Sequence, residues 1–196
     1  MRRMIASAVA GVALFGSAAV AQEPRWTNLF DGKSISNFGQ VGQANWRVEG
    51  GAIVVDKLDS KDPAYLVTKD KYKNFQIHVE FWSDEKVNSG VFIRCSDPAK
   101  LDATLCYEVN IYDERPDPSY GTGAIVNVAK VIPMPKAAGK WNDYDITADG
   151  NHFVVVLNGQ KTVDVTDNRL PNAGNVGLQY GSGSLKFRKV QIRALP

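Results

Sequence analysis

Between residues 88 and 113 the chain reads "NSGVFIRCSDPAKLDATLCYEVNIYD", and Arg94, Glu108 and Asn110 stand in runs of Val, Phe, Ile and Tyr that otherwise have the character of β-strands. Such groups cost free energy in a packed sheet unless they are paired or put to chemical use. Upstream, His78 and Glu80 occupy alternate positions of "FQIHVEFW". Glu80 and Glu108 are therefore candidates for a carboxylate pair. Two carboxylates about 5–5.5 Å apart suit retaining glycoside cleavage and about 6.5–9.5 Å inverting cleavage, and strands spaced about 4.8 Å apart bring either separation within reach. An arginine between them, Arg94, would lower a carboxylate pKa and suit a base better than an acid. The structural alternative is an Arg–Glu pair that only orders the sheet. His78 reads equally as a hydrogen-bonded bystander. The chain carries no metal-ligand spacing, Ser-His-Asp arrangement, phosphate-cradling glycine loop or dinucleotide fingerprint.

The elements that must position these groups are strands. Apolar runs with Gly, Asn and Asp between them recur along the chain, about eleven in number: AIVVD, AYLVT, FQIHVEFW, GVFIRC, YEVNIY, AIVNV, DYDIT, HFVVVLNG, KTVDV, NVGLQY and LKFRKVQIRAL. "FVVVLNGQKTVDV" is the clearest hairpin, with Asn158-Gly159 suited to a two-residue turn. No helical apolar period persists. The expected fold is all-β, a two-sheet antiparallel β-sandwich. Period-two alternation then sorts three consecutive strands into an apolar face and a second face bearing His78, Glu80, Trp82, Phe92, Arg94, Glu108, Asn110 and Tyr112. If these strands pair as neighbours, those groups converge. Aromatic rings beside a few charges resemble the lining of a sugar-binding groove more than a plain solvated face.

The N-terminal MRRMIASAVAGVALFGSAAVA has the basic start, apolar run and small-residue end of a secretory signal peptide. We expect it to span residues 1–21, with cleavage after Ala21, a single domain over 22–196 and a periplasmic or secreted location. The net charge of +2 then vanishes with Arg2 and Arg3. A neutral chain has no electrostatic footprint for nucleic acid, nor for a membrane surface once the leader is gone. Export permits a disulfide between the two cysteines, Cys95 and Cys106. Strict alternation, however, would put them on opposite faces of a sheet.

"LFDGKSISNF", "NWRVEGGAIV", "YKNFQIHVEFW", "NSGVFIR", "YEVNIYD", "GTGAI", "GKWNDYDI", "LNGQKTVDV", "GLQY" and "FRKVQI" occur in order from near Trp26 to the C-terminus. In them the chain resembles the 3-keto-disaccharide hydrolase family. The resemblance implies a concanavalin A-like lectin/glucanase sandwich of jelly-roll type, and an exported enzyme acting on 3-keto glycosides, a small-molecule carbohydrate partner. A ketone at C3 acidifies the hydrogen on C2, so a base there allows β-elimination of the C1 substituent, and hydration completes a net hydrolysis. Carried onto this sequence, Glu80 or Glu108 is the base and Arg94 stabilises the enolate, unless a divalent cation held by the carboxylates takes that part. His78, Asn110 and Tyr112 contact hydroxyls, Trp82 or Trp141 provides a stacking platform, and Asp113 and Gln179 end strands near the groove. Three positions depart from the family pattern: Asn110 replaces a Gln, Gly181 a His and Lys189 an Asn. The missing histidine favours the alternative of a non-catalytic carbohydrate-binding module of the same fold.

Overall fold

The computed structural model describes residues 25–196, so the expected leader at 1–21 lies outside the described residues. Among these described residues thirteen strands form two antiparallel sheets. The larger contains β11 (Gln160–Thr166), β10 (His152–Leu157), β9 (Trp141–Asp149), β6 (Phe75–Ser83), β13 (Leu185–Ala194), β4 (Ala52–Val55) and β3 (Arg47–Glu49) in that order, and β1 (Thr27–Asn28) also pairs with β13. The five-stranded sheet runs β2 (Phe38–Val41), β5 (Ala64–Thr68), β12 (Asn175–Tyr180), β7 (Ser89–Cys95) and β8 (Tyr107–Ile111). This is the expected two-sheet sandwich. The "AIVNV" run is the exception, since it forms no strand. Its backbone bonds to the edge of β8 through Ala124 O and Val126 N and then turns back on itself at Asn127, whose φ is 61°. At the other end of the spectrum, the β10–β11 hairpin closes through Asn158 and Gly159 with φ of 52° and 76°, both left-handed, as the Asn-Gly pair requires.

Alternation explains the main core. In β6, Phe75, Ile77, Val79 and Phe81 are fully buried between the sheets, while Gln76, His78, Glu80 and Trp82 point outward and stay partly exposed. Each such buried side chain contributes roughly 1.5–3 kcal/mol. The five-stranded sheet differs: β5, β7, β8 and β12 are buried along their whole length. One face packs on the main core. The other supports a separate cluster of Tyr65, Val67, Phe92, Cys95, Leu101 and Cys106.

Two features break the pattern legible in single strands. First, β6 and β7 are not neighbours: β6 pairs with β9 and β13, and the chain then arches into the other sheet. The arch at Asp84–Asn88 is hydrogen-bonded to a second crossing, between β12 and β13, through Asp84 N to Ser184 O, Ser184 N to Asp84 Oδ2 and Gly181 N to Asn88 O. Gly183 lies in this junction with φ of 80°, and a Cβ there would run into the backbone of Val87. Second, β7 holds an extra residue against β12: Phe92 faces Gly177 and Cys95 faces Asn175. The bulge centres on Arg94, which takes a φ of 54°. After the bulge the parity inverts, so Cys95 joins Cys106 on the outward face and the two form a disulfide, against the expectation from strict alternation.

The same bulge turns Arg94 inward. Arg94 is 1% exposed, and its guanidinium donates to Gly150 O at 2.8 Å and Leu170 O at 3.2 Å and lies 5.6 Å from the Phe153 ring centre. Desolvation pulls its pKa below the usual arginine value. Arg94 thus ties loops from both sheets to β7. Replacing it by Met keeps the bulk but removes two hydrogen bonds made by a charged donor, and a loss of about 2–3 kcal/mol is expected in urea unfolding.

Candidate active site

The outward face of the five-stranded sheet is laid out by its register. One row across the strands is Gly39, Val67, Gly177, Phe92 and Glu108, and the adjacent row includes Val41, Tyr65 and Gln179 on one side and Gly90 and Asn110 on the other. Glycines interrupt both rows. Leu101, carried by the loop that the disulfide closes, fills the space over Gly177 that a side chain would otherwise occupy. Gly90 lets its neighbours close in over the backbone, because a Cβ there would come within 3.2 Å of Glu108 Cγ and 3.3 Å of Phe92 Cε2. Tyr65 stands edge-on to Phe92 with ring centres 5.3 Å apart.

Glu108 is the chemical centre of this face. It is 8% exposed, and burial pushes its carboxyl up to about 7 against a weaker opposing pull from Arg115. No hydrogen bond relieves it among the described residues, which is why desolvation dominates. Around it, Gln179 Nε2 donates to Tyr65 Oη at 3.3 Å, and Asn110 Nδ2 donates to Tyr120 O at 2.7 Å. The amide oxygens of both Gln179 and Asn110 are buried without a partner. Burial raises the Tyr65 phenol, with the charge of Glu108 adding to it and the Gln179 contact opposing it. The face therefore brings together a carboxyl able to exchange a proton near neutrality, a phenol, two amides and an aromatic ring.

The expected convergence of ten residues is corrected to a division. Glu108, Asn110 and Gln179 share the face just described, with Tyr112 following at the end of β8. His78, Glu80, Trp82 and Trp141 lie instead on the outward face of the larger sheet, because β6 belongs there. Glu80 is held by Arg188 at 2.6 Å and Lys189 at 3.3 Å. Burial alone would raise its pKa, but these two cations outweigh it and keep the carboxyl below the ordinary range. His78 Nδ1 meets Asp145 at 2.8 Å. Arg94 points between the sheets, away from both glutamates. Asp113 is spent on the backbone: Oδ2 accepts from Ala137 N and Ala138 N at 2.8 and 2.9 Å, and Oδ1 from Thr122 Oγ1 at 2.6 Å. Glu80 and Glu108 thus form no carboxylate pair, nor a joint ligand set for a divalent cation. Among the described residues no group of three or more His, Cys, Asp or Glu side chains is arranged to hold a metal ion.

Tyr65, Phe92 and Arg115 complete the face, and two of them escape sequence reasoning. Phe92 shares the alternation of β7 and is legible. Tyr65 sits in the wholly apolar run "AYLVT", where nothing marks its face, and Arg115 follows the end of β8 in a loop. The non-local order β5-β12-β7-β8 sets Tyr65 on the face with Glu108, and the chain just after β8 carries Arg115.

Residues 25–193 match the model of the 3-keto-alpha-glucoside-1,2-lyase-like domain. A proposed glycosyl hydrolase from Parabacteroides distasonis shares the fold with a TM-score of 0.74 at 20% sequence identity, over 87% of this chain and 94% of that one. A second from the same organism gives 0.70 at 26% identity, over 87% and 100%. The carbohydrate-binding module CBM66 from Bacillus subtilis follows the same fold at 0.57 and 15% identity, over 81% and 96%. No curated protein matches the sequence.

A buried carboxyl that prefers its proton makes stability depend on pH in a fixed direction. Its folded pKa is raised, so the folded state is favoured below the ordinary carboxyl value of 4.5, and that contribution is lost as pH climbs through about 7. Glu108→Gln removes the penalty. The variant is expected to exceed the parent in unfolding free energy at pH 8 by up to roughly 3 kcal/mol, and to match it at pH 4; chemical denaturation at the two pH values measures the difference.

Proposed function

The chain belongs to the 3-keto-alpha-glucoside-1,2-lyase-like family, and from that premise we propose that this carbohydrate-active protein is an enzyme cleaving the glycosidic bond of 3-keto glycosides, with Glu108 as the base. The observation that carries the reading is Glu108 itself: a carboxyl 8% exposed on the outward face of the five-stranded sheet, without a hydrogen-bond partner among the described residues, its pKa pushed up to about 7. A general base works best when its pKa lies near the operating pH. The C3 ketone acidifies the C2 hydrogen, and the Glu108 carboxylate removes that proton. The electron pair of the C2–H bond passes into the enolate. As the C3 carbonyl re-forms, the pair moves into a C1=C2 double bond, the C1–O bond breaks, and the aglycone leaves with a proton on its oxygen. Water then adds across that double bond, so the net change is hydrolysis.

Developing enolate charge calls for a cation or hydrogen-bond donors. Arg115, the one charge of opposite sign that acts on Glu108, supports that role in place of Arg94. Tyr65 and Gln179 offer donors, and the unpaired amide oxygens of Gln179 and Asn110 would accept from sugar hydroxyls. Phe92 gives the ring an apolar surface. Export to the periplasm or beyond fits both the leader-like residues 1–21 and the disulfide, which persists in an oxidising compartment.

Release of aglycone from 3-keto-trehalose and 3-keto-glucosides of either anomer, followed by mass spectrometry, tests the reading. We expect Glu108→Gln to lower kcat/KM by about 10³-fold and Arg115→Ala by about 10²-fold, while Glu80→Gln leaves it unchanged. In the parent, kcat/KM should fall about tenfold per pH unit below about 7 and level off above it. Turnover that survives in Glu108→Gln removes the assignment of base, and saturable sugar binding with no product from any substrate identifies a binding module instead.

A further inference from the structure

Trp82 and Trp141 have no place in the Glu108 site, since they lie on the outward face of the other sheet. They are Cα partners on adjacent strands, β6 and β9. Trp141 is 37% exposed, one of two large apolar side chains so open among the described residues. Each ring is held by a cation: Arg188 stands 3.9 Å from the centre of Trp141 and is itself fixed by Glu80 at 2.6 Å, and Lys186 stands 5.1 Å from the centre of Trp82. Each ring also borders its own hollow. One, of about 290 Å³, is lined by Trp141, Glu80, Asn142, Asp143 and Arg188. The other, of about 300 Å³, includes Trp82, Lys186, Arg47 and Glu49. Because the tryptophans are in register, the two hollows open on the same outward face of the sheet, one beside each ring.

We propose that this tryptophan pair with its two hollows is a second carbohydrate-binding surface, which takes a neutral oligosaccharide of at least two pyranose units. Indole rings with restricted motion stack on the apolar faces of pyranoses at little entropic cost. The polar border carries carboxylates and cations in mixture, so it suits hydroxyls, which both donate and accept, and offers no net field for a polyanion. Two adjacent hollows demand linked rings, not a single sugar. The surface lies on the opposite side of the sandwich from Glu108, so a bound glycan anchors the protein without occupying the proposed catalytic face. This inference stands apart from the choice of Glu108 as base.

Calorimetric titration of the purified protein with cellotetraose, maltotetraose and laminaritetraose tests it. At least one tetraose should bind, about tenfold tighter than glucose, and Trp141→Ala and Trp82→Ala should each weaken it about tenfold. Trp141→Phe should restore most of the affinity, which separates stacking from a general defect, and thermal melts verify that each variant is folded. Glu108→Gln should bind as the parent does. Release of aglycone from a soluble 3-keto disaccharide should be unchanged in Trp141→Ala, and binding that persists where no turnover is found would remove the function proposed above and leave this surface standing. No binding of any tetraose, equal binding by Trp141→Ala, or loss in Glu108→Gln overturns the proposal.

Discussion

The arrangement of the site depends on one surplus residue in β7. With strict alternation Cys95 would enter the main core, Arg94 would stand on the outward face, and no disulfide to Cys106 could form. The bulge exchanges their sides. Arg94 becomes an interior clamp on Gly150 and Leu170, and the chain after Cys95 returns over the sheet as a tethered loop. That loop sets Leu101 on Gly177, one step along the row from Phe92 and two from Glu108. A left-handed conformation at a non-glycine residue costs free energy, and the two carbonyl contacts hold Arg94 in it.

The two glutamates illustrate how environment divides one residue type into two uses. Glu80, on a half-open face among Arg188 and Lys189, is held ionised and serves the surface. Glu108, on a sheet covered on both sides, lacks such partners and retains its proton up to about 7. The difference comes from which sheet each strand joins, and the cost of burying Glu108 is one that the rest of the core must offset. The buried row of Phe75, Ile77, Val79 and Phe81 shows where that surplus resides.

Much of this was readable before any coordinates. The strands from β4 onward, the Asn-Gly hairpin turn, the inward and outward faces of β6 and β8, and the shared side of Glu108 and Asn110 all follow from local pattern. The short strands β1, β2 and β3 carry too few residues for a period to emerge. What local pattern does not hold is partnership. Consecutive strands usually pair, and reading β6 beside β7 on that basis merged two faces that belong to different sheets. The arch responsible is stabilised by Asp84 and Gly183, residues about a hundred positions apart whose contact no window can reveal. The bulge is equally silent, since "VFIRC" continues as if no residue were extra, and Tyr65 joins the face of Glu108 only through that non-local order.

The pairing of β1 with β13 sets Thr27 opposite Ile192 and Asn28 opposite Gln191. The first and last strands thus lock one another, and the sandwich behaves as a loop fastened by a short antiparallel clasp. Strain on the N-terminal flank falls on these few hydrogen bonds, whereas the C-terminal flank is also laced to β6, with Ile192 opposite Ile77 and Ala194 opposite Phe75. Anything fused before Thr27 or after Ala194 would emerge from one side of the molecule. Tags or tethers on both flanks would therefore crowd each other, whereas a single tether leaves both outward faces free.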